Sequence, residues 1–344
     1  MRNHYPKYVF PLFLACWVLV GANSILGSEK EYCGYEYVIR KAQGTYEQIT
    51  VDLEAAAAKS GWKVVAVVDA GVMKDCPSRA RVFVLYDSLY ARDIMDANRN
   101  TGPFAVLDRI NLFQDEEGNH VSIVNPHSIN RTILMDDQKY EAMTVAHLQA
   151  LRTMITSAVK GEESRKQYGE MRDRGYIGKT MGIIAGGKFE DKVEDVFVIP
   201  GGNWKDVADK VEEGLSKPGK EWGTHVVYRA EMPGFETALL GATGTPMDTK
   251  SFDIVGEGGD DSRDQLSCPG FAHAAAYPIE IVVTQETTDV QVRMVHAMFR
   301  MKMYFEDAGN WAFMKHMGMP GSIADEIESA LAPMLKAKNV KTVR

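Results

Sequence analysis

The fold of this chain is decided by the stretch YVIRKAQGTYEQITVDLEAAAAKSGWKVVAVVDAG (37–71), because a variant of it occurs a second time. The second copy reads FVIPGGNWKDVADKVEEGLSKPGKEWGTHVVYRAEMPG (197–234). The matched positions are Val38-Ile39 with Val198-Ile199, Gly44-Thr45-Tyr46 with Gly202-Asn203-Trp204, Trp62 with Trp222, and Val67 with Val227. Their nearly constant spacing, roughly 160 residues, is that of a duplicated domain and not of a solenoid repeat.

Each copy predicts a strand, a helix and another strand. In the first, Thr45 or Thr50 can cap the helix, and Gly61 can end it in a left-handed conformation. The runs WKVVAVVDA and RVFVLYD are rich in β-formers and short enough for buried strands. INLFQDEEGNHVSIV has the acidic, glycine-containing turn of a hairpin.

The repeat continues after a gap, since PFAVLDRINLFQDEEGNHVSIVNPHSI (103–129) resembles AYPIEIVVTQETTDVQVRMVHAMF (276–299). Each half therefore predicts strand, helix, strand, strand, helix, hairpin and tail. The expected fold class is α+β, a duplicated small domain with an antiparallel sheet and packed helices. We expect the two halves to form an intramolecular pseudo-dimer.

The predicted organisation has four parts: residues 1–24, a signal peptide; 33–136, the first domain; 137–194, a helical and charged connector; and 195–337, the second domain. Within the connector, Leu148, Leu151, Ile155 and Ala158 form an apolar stripe at helical spacing.

The first copy resembles the DUF302 family through SGWKVVAVVDAG, RVFVLYDSLYARDIMDANRNTGPFAVLDRINLF and VSIVNP, which ends at Asn125-Pro126. The resemblance covers roughly 36–135 well and 196–335 more loosely, and the second copy has His296-Ala297 where Asn125-Pro126 stand in the first. It implies an α+β fold and paired domains. The family has no established catalytic residues, so the resemblance transfers none.

The amino terminus has the three parts of a secretory signal peptide: Arg2 and Lys7, an apolar run over 8–22, and small residues. This predicts a periplasmic or secreted bacterial protein with no stable membrane insertion after removal of the signal. The alternatives are an uncleaved anchor, since a membrane helix needs ~20 apolar residues, and a lipoprotein attached at Cys16. The net charge of −8 argues against nucleic acid as a partner.

The stretch VRMVHAMFRMKMYFEDAGNWAFMKHMGMPGS (292–322) is rich in methionine and histidine. Thioether and imidazole groups suit copper(I), so the candidate metal ligands are His296, Met298, Met301, Met303 and His316. Core packing is the other interpretation, because methionine fills irregular interiors well. We expect a strand that ends at Val295, followed by a helix from Ala297 that turns Met298, Met301 and Phe305 inward. A terminal helix should follow, capped by Ser322 and Asp325.

The loop GEGGDDSRDQLSCPGFAHAAAYP (256–278) contains a second candidate, Cys268 near His273, which could serve a thiol redox enzyme. The alternative is a polar loop in which Cys268 is buried or linked to Cys33 or Cys76. The carboxylates in this loop lack calcium-loop spacing.

No phosphate-binding loop, HExxH or GxSxG motif occurs, which weighs against an enzyme without deciding the question. The expected function is an exported ligand-binding or accessory protein with its site at the interface of the halves. A small molecule, a protein or a second copy of the chain could be the partner. Copper handling and thiol redox chemistry are the alternatives.

Overall fold

The computed structural model describes residues 33–74, 76–135, 137–169, 187–258, 268 and 270–336. The expected signal peptide lies outside these ranges. Among the described helices, none combines the length and the apolar character that crossing a bilayer requires.

The first half begins at the strand that the opening stretch predicts. Its elements are β1 (Tyr35–Ala42), α1 (Tyr46–Lys59), β2 (Lys63–Asp69), β3 (Ala80–Tyr86), α2 (Ser88–Ala97), β4 (Leu107–Asp115), β5 (Gly118–Val124), α3 (Pro126–Ile133), α4 (Glu141–Ala158), β6 (Glu162–Glu163) and β7 (Gln167–Tyr168).

The second half repeats this order as far as the last helix and adds a short helix before it; the described residues contain no counterpart of β6 and β7. Its elements are β8 (Val193–Pro200), α5 (Trp204–Gly214), β9 (His225–Met232), β10 (Thr237–Thr243), α6 (Thr245–Gly258), β11 (Ile279–Gln285), β12 (Asp289–Val295), α7 (Ala297–Phe305), α8 (Asn310–Lys315) and α9 (Gly318–Leu335). A 3₁₀ segment precedes the hairpin in each half, at Gly102–Ala105 and at Phe271–Ala276.

Both sheets have the same strand order. The first runs β2-β3-β4-β5-β1, with β6 and β7 paired to the outer edge of β1, and the second runs β9-β10-β11-β12-β8. All of these pairings are antiparallel. The predicted α+β class is therefore confirmed, and the matching order of five strands supports duplication.

Local sequence explains where the helices of the first half begin. The Thr45 side chain accepts a hydrogen bond from the Gln48 backbone N–H and caps α1, whereas Thr50 lies within the helix. Gly61 follows the end of α1 with φ of +91°, a conformation that glycine adopts without steric cost. Asn125 caps α3, and Pro126 occupies its first position, where the missing N–H costs no hydrogen bond.

The first sheet is covered on both faces. Helices α1 and α4 pack on one face, where Phe83, Ile110 and Val121 are buried with Leu151 of α4. The predicted helix of the connector is thus observed, but it belongs to the core of the first half. The charged segment that follows returns to β1 through β6 and β7, and β8 begins at Val193.

The other face of the first sheet packs against the second half in a reciprocal way. Phe271–Ala276 lies on β3, β4 and β5, while Gly102–Ala105 lies against β11. The Asn111 side chain donates to the Phe271 carbonyl at 2.8 Å. Each half therefore places its 3₁₀ segment on the sheet of the other, as the two subunits of a symmetric dimer would.

Candidate functional site

The candidate methionines do not converge on one point. Met303 is buried in the core, whereas Met298 and Met301 are half-buried. An α-helix turns about 100° per residue, so Met301 and Met303 point to different sides of α7. The predicted inward stripe of Met298, Met301 and Phe305 is wrong in part, because α7 instead buries Phe299, Met303 and Phe305.

The two candidate histidines lie in different surroundings from the methionines. His296 lines a polar cavity beside the end of β12. The His316 Nε2 atom lies 3.3 Å from the Glu257 carboxylate. No cluster of three or more His, Cys, Asp or Glu side chains with the arrangement of a metal site occurs in the described ranges.

Cys268 forms a disulfide with Cys76, which was one of the two linkages that the sequence left open. A disulfide-bonded sulfur is not a thiolate, so Cys268 is no nucleophile in this state. The ring of His273 is buried, and its Nε2 atom lies 2.9 Å from the Asp307 carboxylate. Cys33 is buried, and Asp260, Asp261 and Asp264 lie outside the described residues.

The terminal helix also differs from its prediction. Helix α9 begins at Gly318, so Ser322 lies inside it and does not form the predicted capping box with Asp325. Instead, the Ser322 hydroxyl accepts a hydrogen bond from the Trp222 indole at 2.9 Å. This earlier start brings the first turns of α9 alongside α7.

An open apolar cavity lies between α7 and α9, and we call it the α7–α9 cavity. Its volume is about 50 Å³, enough for roughly four water-sized groups. Arg300 is the charged residue in its lining, and Tyr277 and Ser251 supply hydroxyl groups. The complete lining is Ser251, Ile254, Tyr277, Ile279, Met294, Val295, Ala297, Arg300, Met301, Phe305, Ala308, Met319, Pro320, Ile323 and Ala324.

Arg300 belongs to a buried ionic triad that joins the halves. Arg300 Nε lies 3.1 Å from Glu280 Oε2, and Arg109 Nη1 of the first half lies 3.0 Å from Glu280 Oε1. Burial opposes ionisation of Glu280, but the attraction of Arg109 and Arg300 outweighs it, so the pKa of Glu280 lies below its ordinary value. Both arginines also contact the ring of Tyr304.

The first half has a smaller cavity, about 10 Å³, between α3 and the start of α4, lined mainly by polar and charged residues. A buried polar cluster lies beside it. The Asp108 carboxylate accepts a hydrogen bond from Trp62 Nε1 at 2.9 Å and lies 2.8 Å from His147 Nε2. The His147 ring stacks on Tyr90 with 3.6 Å between centroids. Asn130 of α3 donates to the Tyr90 hydroxyl at 2.7 Å.

Opposing influences act on His147. Burial favours the neutral ring and would lower its pKa, but the charge and hydrogen bond of Asp108, with the charge of Asp87, raise the pKa above its ordinary value. The His147–Asp108 pair is therefore a charged interaction inside the first half.

A larger polar cavity, about 880 Å³, lies where Asn100 of the first half meets β8 and β12. Its wall carries carboxylates and basic groups together. Arg293 within it lies 3.5 Å from Asp195 and donates to the Asn100 side chain. Its lining includes Asn100 of the first half, but its mixed charges define no single ligand.

The comparisons with known proteins give similarities to solved structures. The chain is similar to a solved structure, an uncharacterized conserved protein DUF302 from Bacillus stearothermophilus, with 11% identity, 36% of this chain covered, 98% of that chain covered, and a TM-score of 0.31. No family model matches the chain, and no curated protein gives a significant match.

Sequence reasoning missed Arg109, Glu280 and Arg300, and it missed the Asp108–His147 pair. The available signal was a charged residue within each hairpin strand, Arg109 in DRINLF and Glu280 in IEIVV. Alternating polar residues are typical of a strand with one face in water. In this protein the other half of the chain covers that face of each strand. The same pattern therefore indicates a buried polar interface between the halves.

Proposed function

We propose that this chain is an exported member of the DUF302 family that binds a small ligand with an apolar part in the α7–α9 cavity. The observation that carries the proposal is the cavity itself: open, lined by apolar side chains, and supplied with a few polar groups. Ligand sites commonly have this composition.

Three further features support the proposal. The amino terminus has the pattern of a signal peptide, and the Cys76–Cys268 disulfide is of a kind that persists in oxidising compartments. Met294, Met301 and Met319 line the cavity, and flexible methionine side chains adapt to ligands of different shape. Binding requires no catalytic group, which agrees with the lack of recognisable catalytic motifs.

The test is calorimetric titration of the mature protein with linear primary alcohols from butan-1-ol to octan-1-ol. Burial of each methylene group contributes about 0.8 kcal/mol, so the affinity should rise about fourfold per carbon until the cavity is full. Longer chains should then bind with little further gain, because the added carbons remain in solvent at the open mouth.

A matched pair of variants locates the site. Ala324 lines the cavity, so Ala324→Leu should fill it and weaken alcohol binding. The same substitution at Ala55, which is exposed on α1, should leave binding unchanged. The proposal fails if no alcohol binds saturably, or if both variants bind like the wild type.

A copper(I) site is a second candidate, favoured by the three thioethers that line one cavity, Met294, Met301 and Met319. Arg300 in the same wall opposes it, because a buried positive charge repels a cation. Titration against a copper(I) chelator should compare Met294→Leu/Met301→Leu/Met319→Leu with Met298→Leu/Met303→Leu, whose methionines do not line the cavity. Tight binding lost only in the first variant would establish copper, and no binding would remove it.

A further inference from the structure

We propose that the natural ligand of the α7–α9 cavity is an amphipathic monoanion, such as a short carboxylic acid, whose anionic group faces Arg300 and whose apolar part contacts the methionines. This inference rests on the proposed function and names the chemical class of its ligand. It is carried by the ionic triad behind the cavity wall.

The triad has one more positive than negative charge. Arg109 and Arg300 lie within ion-pair distance of the same carboxylate, Glu280. Arg109 and Arg300 are 6% and 5% exposed, so solvent screens this excess only weakly. Two elements of the cavity wall carry a further buried carboxylate. Asp248 of α6 already accepts hydrogen bonds from Thr243 Oγ1 and the Gly71 N–H, and Glu328 of α9 is engaged in interactions of its own.

The guanidinium of Arg300 is fixed in place but not saturated. Its Nη2 group donates to the Ala276 and Pro278 carbonyls, and its Nε group donates to Glu280. Among the described residues, its Nη1 group has no hydrogen-bond partner, and the side chain lines the cavity. Nη1 is therefore available to a ligand without breaking a contact of the protein.

The rest of the lining determines the other end of the ligand. Apart from Arg300, Tyr277 and Ser251, the wall is aliphatic, aromatic or thioether. The Tyr277 and Ser251 hydroxyls are hydrogen-bonded to each other at 2.6 Å. A cationic ligand would meet the unbalanced charge of the arginines, and a neutral one would leave that charge uncompensated, so the cavity favours a single negative charge next to a short apolar chain.

The experiment compares three ligands of equal chain length, hexanoate, hexan-1-ol and hexylamine, on the wild-type protein at pH 7. Hexanoate should bind at least roughly tenfold more tightly than hexan-1-ol, since hydrogen bonds to charged groups are the strong ones. Hexylamine should bind more weakly than the alcohol.

Two variants change the charge without touching the cavity lining. Arg109→Met removes one positive charge and should reduce the preference for hexanoate over hexan-1-ol. Glu280→Gln removes the shared negative charge and should increase that preference. The alcohol affinity, expected to be unchanged, monitors the fold of each variant, and a variant that loses it is set aside in favour of the wild-type comparison.

The outcomes separate the two proposals. If none of the three ligands binds, the proposed function is wrong. If hexan-1-ol binds as tightly as hexanoate to the wild type, the cavity is a binding site but the charge inference is overturned. A preference for hexanoate that moves in opposite directions in Arg109→Met and Glu280→Gln would establish it.

Discussion

Asp248 has an unusual environment for a carboxylate. It is 2% exposed, and its two oxygens accept hydrogen bonds from Thr243 in its own half and from Gly71 in the first half. Burial raises the pKa of Asp248 from 3.8 to about 6, although both hydrogen bonds oppose the shift. The residue joins the halves, and ionising it in the folded protein costs free energy.

Asp248 should therefore make stability depend on pH. Between pH 4 and pH 6 the folded protein retains a proton that the unfolded chain has released, so the free energy of unfolding falls as pH rises through this window. With 1.36 kcal/mol per pKa unit, the loss is about 3 kcal/mol at most. Asp248→Asn should remove this part of the pH dependence in urea unfolding curves. Equal pH profiles in wild type and variant would contradict the prediction.

His147 should behave in a different pH range. Its pKa is raised in the folded state, so its pairing with Asp108 stabilises the protein fully below the ordinary histidine pKa of 6.5 and less as pH rises above it. The stability lost in His147→Gln should be larger at pH 5.5 than at pH 8.5. Thermal unfolding at both pH values measures this, and a larger loss at pH 8.5 would show that the charge of His147 does not contribute.

Single residues also show where sequence reasoning ends. Thr45 and Gly61 could be assigned because capping and turn chemistry depend on the immediate neighbours. The Asp108–His147 pair could not, since its partners are 39 residues apart on β4 and α4. Only the packing of those elements brings them together.

Helix α4 was predictable as a helix but not in its location. Its apolar stripe is visible in the sequence, and Leu148, Leu151 and Ile155 are all buried as expected. An amphipathic pattern indicates which side of a helix is covered, but not which surface covers it. In the structure α4 covers the first sheet beside α1, so the connector is shorter than predicted.

Removing a side chain from this contact should therefore destabilise the first half. Leu151 is fully buried against the first sheet, and a Leu→Ala change in such a place costs about 2–5 kcal/mol. Gln149→Ala, at an exposed position of the same helix, should cost less than about 0.5 kcal/mol. Denaturant unfolding of both variants tests this. A small effect at Leu151 would mean that α4 is a loosely attached connector.

Helix α7 was also predictable as a helix, but its buried side was not. Its sequence AMFRMKMYF is apolar on nearly every side, so periodicity does not identify one buried face. Its neighbours decide instead: Met303 packs into the core, and Met301 lines the α7–α9 cavity. The structure therefore does not bring these two candidate metal ligands together.

The whole molecule is best understood as a dimer within one chain. The duplication was predictable because two low-identity copies keep the same order of elements, and the antiparallel sheets bear this out. The reciprocal packing was not, since it depends on contacts between the halves. The cavity between α3 and α4 is small and lined mainly by polar residues, whereas the α7–α9 cavity is larger and apolar.

The Cys76–Cys268 disulfide should stabilise this arrangement. It joins the halves across 192 residues of sequence, and closing so long a loop limits the unfolded chain. Its removal should cost about 5 kcal/mol in the chain-entropy estimate. A reducing agent should lower the melting temperature of the wild type and leave a Cys76→Ala/Cys268→Ala variant unaffected. An equal fall in the melting temperature of both proteins would show that the reducing agent does not act through this disulfide.

The most direct test of the account uses the methionine methyl groups as reporters. Protein labelled with ¹³C at the methionine methyls would be titrated with hexan-1-ol and hexanoate, and the signals would be assigned with single Met→Leu variants. If the ligand binds between α7 and α9, the methyl signals of Met294, Met301 and Met319, which line the cavity, should shift and reach saturation. The signal of exposed Met314 should not shift. Saturable shifts confined to other methionines, or none at all, would contradict a ligand site between α7 and α9.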